Sequence, residues 1–156
     1  MITYLFGISG SGKTSQAIKV ALNHINKNRE VFSNIKPATA IDGYNYINFQ
    51  SMQNFIKLIF SILEEKDREM EYYIDKLKKI TKKKALYIID EANCYGFTDR
   101  KKFDCWRFFL SIHRHLDIDI LITTKNHENV NLELLELGDV FLNAIHPNFK
   151  QDLRIF

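Results

Sequence analysis

The feature that most constrains this chain is a glycine-rich segment near its start, Gly7-Ile8-Ser9-Gly10-Ser11-Gly12-Lys13-Thr14. The segment matches the pattern G-x-x-x-x-G-K-[ST] in full. It follows an apolar run at residues 3–6 and opens an amphipathic stretch at residues 13–26, which is the strand, loop and helix context that the pattern requires. The glycines let successive backbone N–H groups point inward at an anion, and the positive end of the helix dipole reinforces them. The segment therefore predicts a site for the phosphates of a nucleotide.

Individual side chains of this loop also have predicted roles. We expect Lys13 to contact the β- and γ-phosphate oxygens and the Thr14 hydroxyl to ligate Mg²⁺. The predicted nucleotide-binding residues are Gly7, Ser9, Gly10, Ser11, Gly12, Lys13, Thr14 and Ser15.

A second part of the predicted site follows the apolar run at residues 85–89, which ends in Asp90-Glu91. In open α/β sheets, ligands bind at the C-terminal ends of the strands, so both carboxylates are expected near the phosphate loop. Asp90 is predicted to contact the Mg²⁺ shell through water. Glu91 is predicted to orient and deprotonate an attacking water. An apolar strand followed by two acids is common and predicts little by itself. The phosphate loop upstream makes this pair a candidate for the metal and catalytic roles.

Another apolar run, residues 118–122, ends in Thr123-Thr124. Two hydroxyls would thus emerge beside the acidic pair, and one of them, with Thr124 favoured, could sense the γ-phosphate or the attacking water. The alternative is that threonine stands there only as a good strand former.

Arg114 is the remaining candidate, within His113-Arg114-His115 at the end of a predicted helix. One interpretation is a set of helix-end cations that balance the helix dipole. The other is an arginine that reaches a nucleotide across a subunit boundary. The two histidines do not share a helix face, so they do not predict a zinc site.

Apolar runs of strand length alternate with segments of helical periodicity along the chain. This alternation predicts an α/β protein with a mainly parallel sheet, and the phosphate loop makes it the three-layer α/β/α sandwich of P-loop NTPases. A length of 156 residues fits a single domain, here residues 1–156. The predicted strands are residues 3–6, 30–32, 46–49, 85–89, 118–122 and 140–145.

Two further helical stretches are predicted, an apolar one at residues 52–63 and a charged one at residues 64–84. In the second, a narrow stripe indicates a solvated helix partly detached from the core; it comprises Met70, Ile74, Leu77 and Ile80 or Thr81. Its final Lys82-Lys83-Lys84 is either a solvated helix end or a patch for DNA phosphates or acidic lipid.

Composition excludes little. The formal charge of +3 is too mild to indicate a nucleic-acid or membrane surface by itself, and the two cysteines, Cys94 and Cys105, have no metal-binding spacing. There is no signal-peptide pattern and no apolar run of membrane-spanning length. These observations predict a soluble, cytoplasmic chain.

Several segments together resemble one family. They are the early phosphate loop, Ser33-Asn34-Ile35, Ile89-Asp90-Glu91-Ala92, and His113-Arg114-His115-Leu116-Asp117-Ile118-Asp119 before Thr123-Thr124. In order and spacing they are similar to the N-terminal ATPase domain of the zonula occludens toxin (Zot) family, which includes assembly proteins of filamentous phages. Lys13, Thr14, Asp90 and Glu91 match the catalytic positions of that family. Where the family has a glutamine closing the sensor strand, this chain has Thr124-Lys125-Asn126.

The resemblance implies an ATPase at the cytoplasmic face of the bacterial inner membrane that assembles and extrudes phage. It implies a homo-oligomeric ring, often hexameric among the related FtsK/HerA pumping ATPases, with phage coat or assembly proteins as partners. The family continues into a membrane span and an extracytoplasmic part, to which its toxin activity is usually assigned. We therefore do not transfer that activity to this chain.

Two other functions fit the motifs. A small P-loop kinase would need an arginine-rich lid, for which Arg100-Lys101-Lys102 is the candidate. A non-hydrolysing module would bind nucleotide only to recruit a partner, and Glu91 argues against it. ATP is favoured over GTP because Thr124-Lys125-Asn126-His127 lacks the aspartate that reads guanine.

Overall fold

The computed structural model describes residues 1–125 and 127–144, and these residues build a six-stranded sheet in which every neighbouring pair is parallel. The strand order is β3-β2-β4-β5-β1-β6. The strands are β1 (Ile2–Phe6), β2 (Val31–Ser33), β3 (Tyr44–Tyr46), β4 (Leu86–Ile89), β5 (Asp119–Thr124) and β6 (Val140–Asn143). The predicted sixth strand extended to Ile145, which lies outside the described residues.

Helices cover both faces of this sheet. They are α1 (Lys13–Ile25), α2 (Phe49–Leu63), α3 (Met70–Lys78), α4 (Phe103–Ile112) and α5 (Leu132–Glu136). Short 3₁₀ turns lie at Ala92–Tyr95, Arg100–Lys102 and His127–Asn129. No helix in the described ranges is long and apolar enough to cross a membrane.

Alternation along the strands divides the core into two layers. Tyr4 and Phe6 of β1 belong to the core layer that also contains buried residues of α2, α3, α4 and α5. Leu5 between them belongs to the layer on the other face, together with Ala17 and Ala21 of α1. Successive side chains of a strand point to opposite faces, so a central strand covered on both sides is buried along its length and is mostly apolar. All five residues of β1 are accordingly buried. The predicted α/β/α sandwich with a parallel sheet is confirmed.

The predicted strand at residues 46–49 is wrong in its position. The strand β3 ends at Tyr46, and Phe49 already begins α2. Asn48 explains the shift, because its side-chain oxygen accepts a hydrogen bond from the Ser51 N–H at 2.8 Å and caps the helix. The helix predicted to begin at residue 52 therefore begins three residues earlier.

The charged helix predicted over residues 64–84 is also different in the structure. It is confined to α3, and it is not detached, because Tyr73 and Leu77 are buried in the core layer shared with α2 and α4. Lys82-Lys83-Lys84 consequently do not form a helix end. They lie in the connection to β4, where the Lys84 N–H donates to the Asp117 carbonyl at 2.7 Å.

Candidate functional site

The phosphate loop connects β1 to α1 at the C-terminal edge of the sheet. Gly10 and Gly12 have φ angles of 78° and 92°, in the left-handed region that favours glycine. Gly7 is required for a steric reason, because a Cβ at this position would lie 2.3 Å from the Ser11 Oγ. Ser11 is buried within the loop and its hydroxyl has no hydrogen-bond partner among the described residues.

The start of α1 is open to a ligand. Gly12 is the N-cap residue and no side chain caps the helix. The first N–H groups of a helix have no partner within the helix, so a bound anion can accept hydrogen bonds from them. Thr14 and Ser15 lie exposed in this first turn. The predicted phosphate-binding residues are thus brought together around one helix end.

Lys13 folds back over the loop. Its Nζ donates hydrogen bonds to the Gly7 carbonyl at 2.5 Å and to the Ile8 carbonyl at 3.1 Å. These two carbonyls hold the ammonium at the mouth of the loop. Oxygens of a bound phosphate can replace the carbonyls as acceptors of its hydrogen bonds.

The acidic pair follows β4, which is separated from β1 only by β5. Thr123 of β5 binds both acidic residues. Its Oγ1 donates to Asp90 Oδ1 at 2.5 Å and accepts from the Glu91 N–H at 2.9 Å. Of the two predicted threonines, Thr123 therefore contacts the acids, whereas the Thr124 hydroxyl points to Asn93 Oδ1 at 3.3 Å.

Asn34, just beyond β2, holds the acidic pair from the other side. Its Oδ1 accepts from the Asp90 N–H at 2.7 Å, and its Nδ2 donates to the Asp90 carbonyl at 2.9 Å and to the Tyr95 hydroxyl at 3.0 Å. Burial raises the pKa of Tyr95, and the charges of Asp90 and Glu91 add to the effect despite the Asn34 hydrogen bond. Tyr95 is therefore a neutral hydroxyl, packed against Phe49 with ring centroids 5.3 Å apart.

Glu91 has a φ of 51° and a ψ of 52°, a left-handed conformation that is uncommon for a residue with a side chain. Hydrogen bonds hold the backbone at this point, since Asn34 binds the Asp90 N–H and carbonyl and Thr123 accepts from the Glu91 N–H. The Glu91 side chain is exposed at the edge that carries the phosphate loop, where a carboxylate can meet a water beside a bound nucleotide.

Arg114 does not join this site within its own chain. It precedes β5, whereas the phosphate loop follows β1, and the two strands run parallel with Phe6 beside Thr124. The two ends of β5 are about 16 Å apart, and Arg114 lies before the end that is opposite the phosphate loop. There its guanidinium donates to Asp139 Oδ1 at 2.8 Å, and its side chain is 75% exposed.

The adjacent His113 is not a helix-end cation. It is buried at the end of α4, its Nδ1 donates to the Leu110 carbonyl at 2.6 Å, and burial lowers its pKa. His115 is exposed. The described ranges contain no group of three or more His, Cys, Asp or Glu able to hold a metal ion.

The sequence identifies the family. The family model of zonular occludens toxin (Zot) matches residues 1–139, nearly the whole chain. The chain belongs to the Zot family. A search of curated proteins found no match.

Solved structures share the fold of this Zot-family chain. The N-terminal domain of zonular occludens toxin from Neisseria meningitidis is 20% identical, with a TM-score of 0.58 over 96% of this chain and 78% of that one. The DNA-packaging ATPase of Sulfolobus turreted icosahedral virus is 19% identical, with a TM-score of 0.59 over 94% and 77%. The genome packaging NTPase of Sulfolobus turreted icosahedral virus 2, in complex with ATP-gammaS, is 15% identical, with a TM-score of 0.63 over 94% and 76%.

Proposed function

We propose that this Zot-family chain binds ATP and hydrolyses it. The observation that carries the proposal is the position of Asp90 and Glu91. They follow β4, which only β5 separates from β1 and its phosphate loop, and Asn34 and Thr123 hold them at the same edge of the sheet. A catalytic carboxylate must be within hydrogen-bond reach of the proton that it removes, and fixed neighbours keep it there.

The reaction follows from the residues at this edge. The Glu91 carboxylate accepts a proton from water as the water oxygen attacks the γ-phosphorus. The bond from that phosphorus to the bridging oxygen breaks, and the electron pair leaves with ADP. Lys13 neutralises charge on the β- and γ-phosphate oxygens, and the N–H groups at the start of α1 hold the phosphates in place.

The oxygen donors present fit Mg²⁺, which prefers carboxylate and hydroxyl oxygens alongside phosphate. Thr14 offers an exposed hydroxyl, and Asp90 keeps Oδ2 available because Thr123 takes only Oδ1. When bound by these two residues, Mg²⁺ would neutralise phosphate charge.

The cellular role proposed is a mechanical step in filamentous phage assembly or export, at the cytoplasmic face of the bacterial inner membrane. Family membership supports it, and so does the likeness in fold to viral genome-packaging enzymes. The proposed working form is a homo-oligomeric ring that contacts phage coat or assembly proteins. Arg114, exposed at the far edge, is the candidate to complete the site of a neighbouring subunit.

The test is phosphate release from ATP and Mg²⁺ at rising protein concentration, with the oligomer size recorded alongside. Lys13→Ala is expected to weaken ATP binding and abolish turnover. Glu91→Gln is expected to keep ATP binding but to lose at least about a hundredfold in turnover, the size of a general-base contribution. Wild-type turnover per subunit is expected to rise with assembly.

Three results would contradict the proposal. Tight ATP binding without hydrolysis at any assembly state would leave a nucleotide-dependent binding module. Formation of ADP only when a phosphate-accepting small molecule is added would indicate a kinase. Turnover unchanged in Glu91→Gln would remove the role assigned to that carboxylate.

A further inference from the structure

Positive charge is concentrated in one short segment of the chain. Residues 76–84 contain six lysines and no acidic residue; this lysine cluster comprises Lys76, Lys78, Lys79, Lys82, Lys83 and Lys84. Without it, the chain has 16 basic and 19 acidic side chains, a formal net charge of −3 in place of +3. The net charge of the chain is therefore positive only because of these six lysines.

The structure places this cluster at the edge of the sheet opposite the phosphate loop. It extends from the end of α3 through the connection to β4, beside the turn that precedes β5. There a cavity of about 430 Å³ is lined by Lys78, Thr81, Lys83, His115, Leu116 and Asp117. Lys78 and Lys83 thus border a concave surface, and the other four lysines of the cluster lie near them in the sequence.

Little in the described residues neutralises the cluster. Lys82 pairs with Glu30 at 3.3 Å and Lys83 with Asp117 at 3.9 Å, and all four side chains are well exposed. Exposed pairs of this kind are weak, so either lysine can exchange its carboxylate for another anion. The other four lysines form no ion pair with a carboxylate of the described ranges, and Lys76 lies over the Tyr72 ring.

We propose that the lysine cluster binds the phosphodiester backbone of a nucleic acid, without reading its sequence. Several ammonium groups along a short path match a chain of evenly spaced phosphates, and such contacts are sequence-independent. The concave surface suits a strand better than a flat bilayer. Stable membrane attachment also needs an apolar signal, and no large apolar side chain is exposed at residues 76–84 or 113–117.

This surface is distinct from the nucleotide site, so it is tested without ATP. Binding of fluorescent single-stranded and duplex oligonucleotides is measured by anisotropy from 50 to 200 mM salt. The test variant combines Lys78→Gln, Lys79→Gln and Lys83→Gln, all exposed positions. The matched control combines Lys19→Gln, Lys27→Gln and Lys57→Gln, exposed lysines outside the cluster that give the same change in net charge.

The wild-type chain and the control are expected to bind, with affinity that falls steeply with salt. The test variant is expected to lose at least about tenfold in affinity at 50 mM salt. Its plot of log affinity against log salt should be shallower by about 2 for single strands, since each lost phosphate contact removes about 0.7 from the slope. Equal urea midpoints for all three proteins would show that folding is unchanged.

Three outcomes would overturn the proposal. One is no oligonucleotide binding at 50 mM salt. Another is equal weakening in the control, which would mean that net charge and not this surface attracts the strand. The third is binding to phosphatidylglycerol–phosphatidylcholine vesicles that depends on the cluster while oligonucleotide binding does not, which would assign the surface to a membrane.

Discussion

Replacing Asn34 by alanine tests whether this side chain fixes the acidic pair. The substitution removes three hydrogen bonds, two to the backbone of Asp90 and one to the Tyr95 hydroxyl. A typical intramolecular hydrogen bond contributes about 1 kcal/mol, and the site is only half-buried, so water can satisfy part of what is lost. We expect the free energy of unfolding to fall by about 2–3 kcal/mol.

Urea unfolding followed by circular dichroism measures this change. With a denaturant slope of about 2 kcal/mol/M, the midpoint should fall by about 1–1.5 M. Tyr95→Phe removes only one of the three bonds and keeps the ring against Phe49, so it should cost about 1 kcal/mol. The control is Asn23→Ala, at an exposed position of α1, with a change within about 0.5 kcal/mol. A change no larger than this in Asn34→Ala would refute the reasoning.

Two further substitutions test the loop and the opposite edge of the sheet. Gly12→Ala adds a Cβ that meets no other atom, but at a φ of 92° an alanine backbone is strained. The free energy of unfolding in urea should therefore fall by about 1–2 kcal/mol. Stability equal to wild type would contradict this expectation. Asp119 is partly buried, which opposes ionisation, but hydrogen bonds from His24 and the N-terminal amine and the charge of Arg29 hold its pKa well below the ordinary value. A depressed pKa stabilises the folded state above the unfolded value of about 4, so Asp119→Asn should destabilise the chain at pH 7. The difference should shrink as the pH falls below about 4, and a pH-independent difference would refute the assignment.

Much of the fold could be predicted because its signals are local. Four of the predicted strands lie within one or two residues of β1, β2, β4 and β5, since a buried strand is visible as an apolar run of consecutive residues. The error at β3 arose from Asn48, whose capping role depends on a backbone N–H three residues away. The error at α3 arose because Tyr73, not Met70, faces the core.

The candidate site divides in the same way. The phosphate loop and Asp90-Glu91 have local patterns, and the sequence located them. The resemblance named Asn34 within a motif, but no local pattern gave it a role, because its partners Asp90 and Tyr95 lie 56 and 61 residues further along the chain. The sequence indicated the threonine pair but not which of the two contacts the acidic residues. Neighbouring residues of a strand face opposite sides, so only the sheet decides that Thr123 meets Asp90.

The parallel sheet also limits how Arg114 can act. Since Arg114 precedes β5 and the phosphate loop lies beyond the other end of the paired β1, one chain cannot bring both to one nucleotide without breaking the sheet. A catalytic arginine at this position must therefore act on the nucleotide of a neighbouring subunit, and Asp139, its partner within the chain, must release it. Asp139→Asn keeps the size of the side chain but weakens that pair. If the arginine acts between subunits, this substitution should leave turnover in the assembled state intact or raise it, whereas Arg114→Ala should lower it.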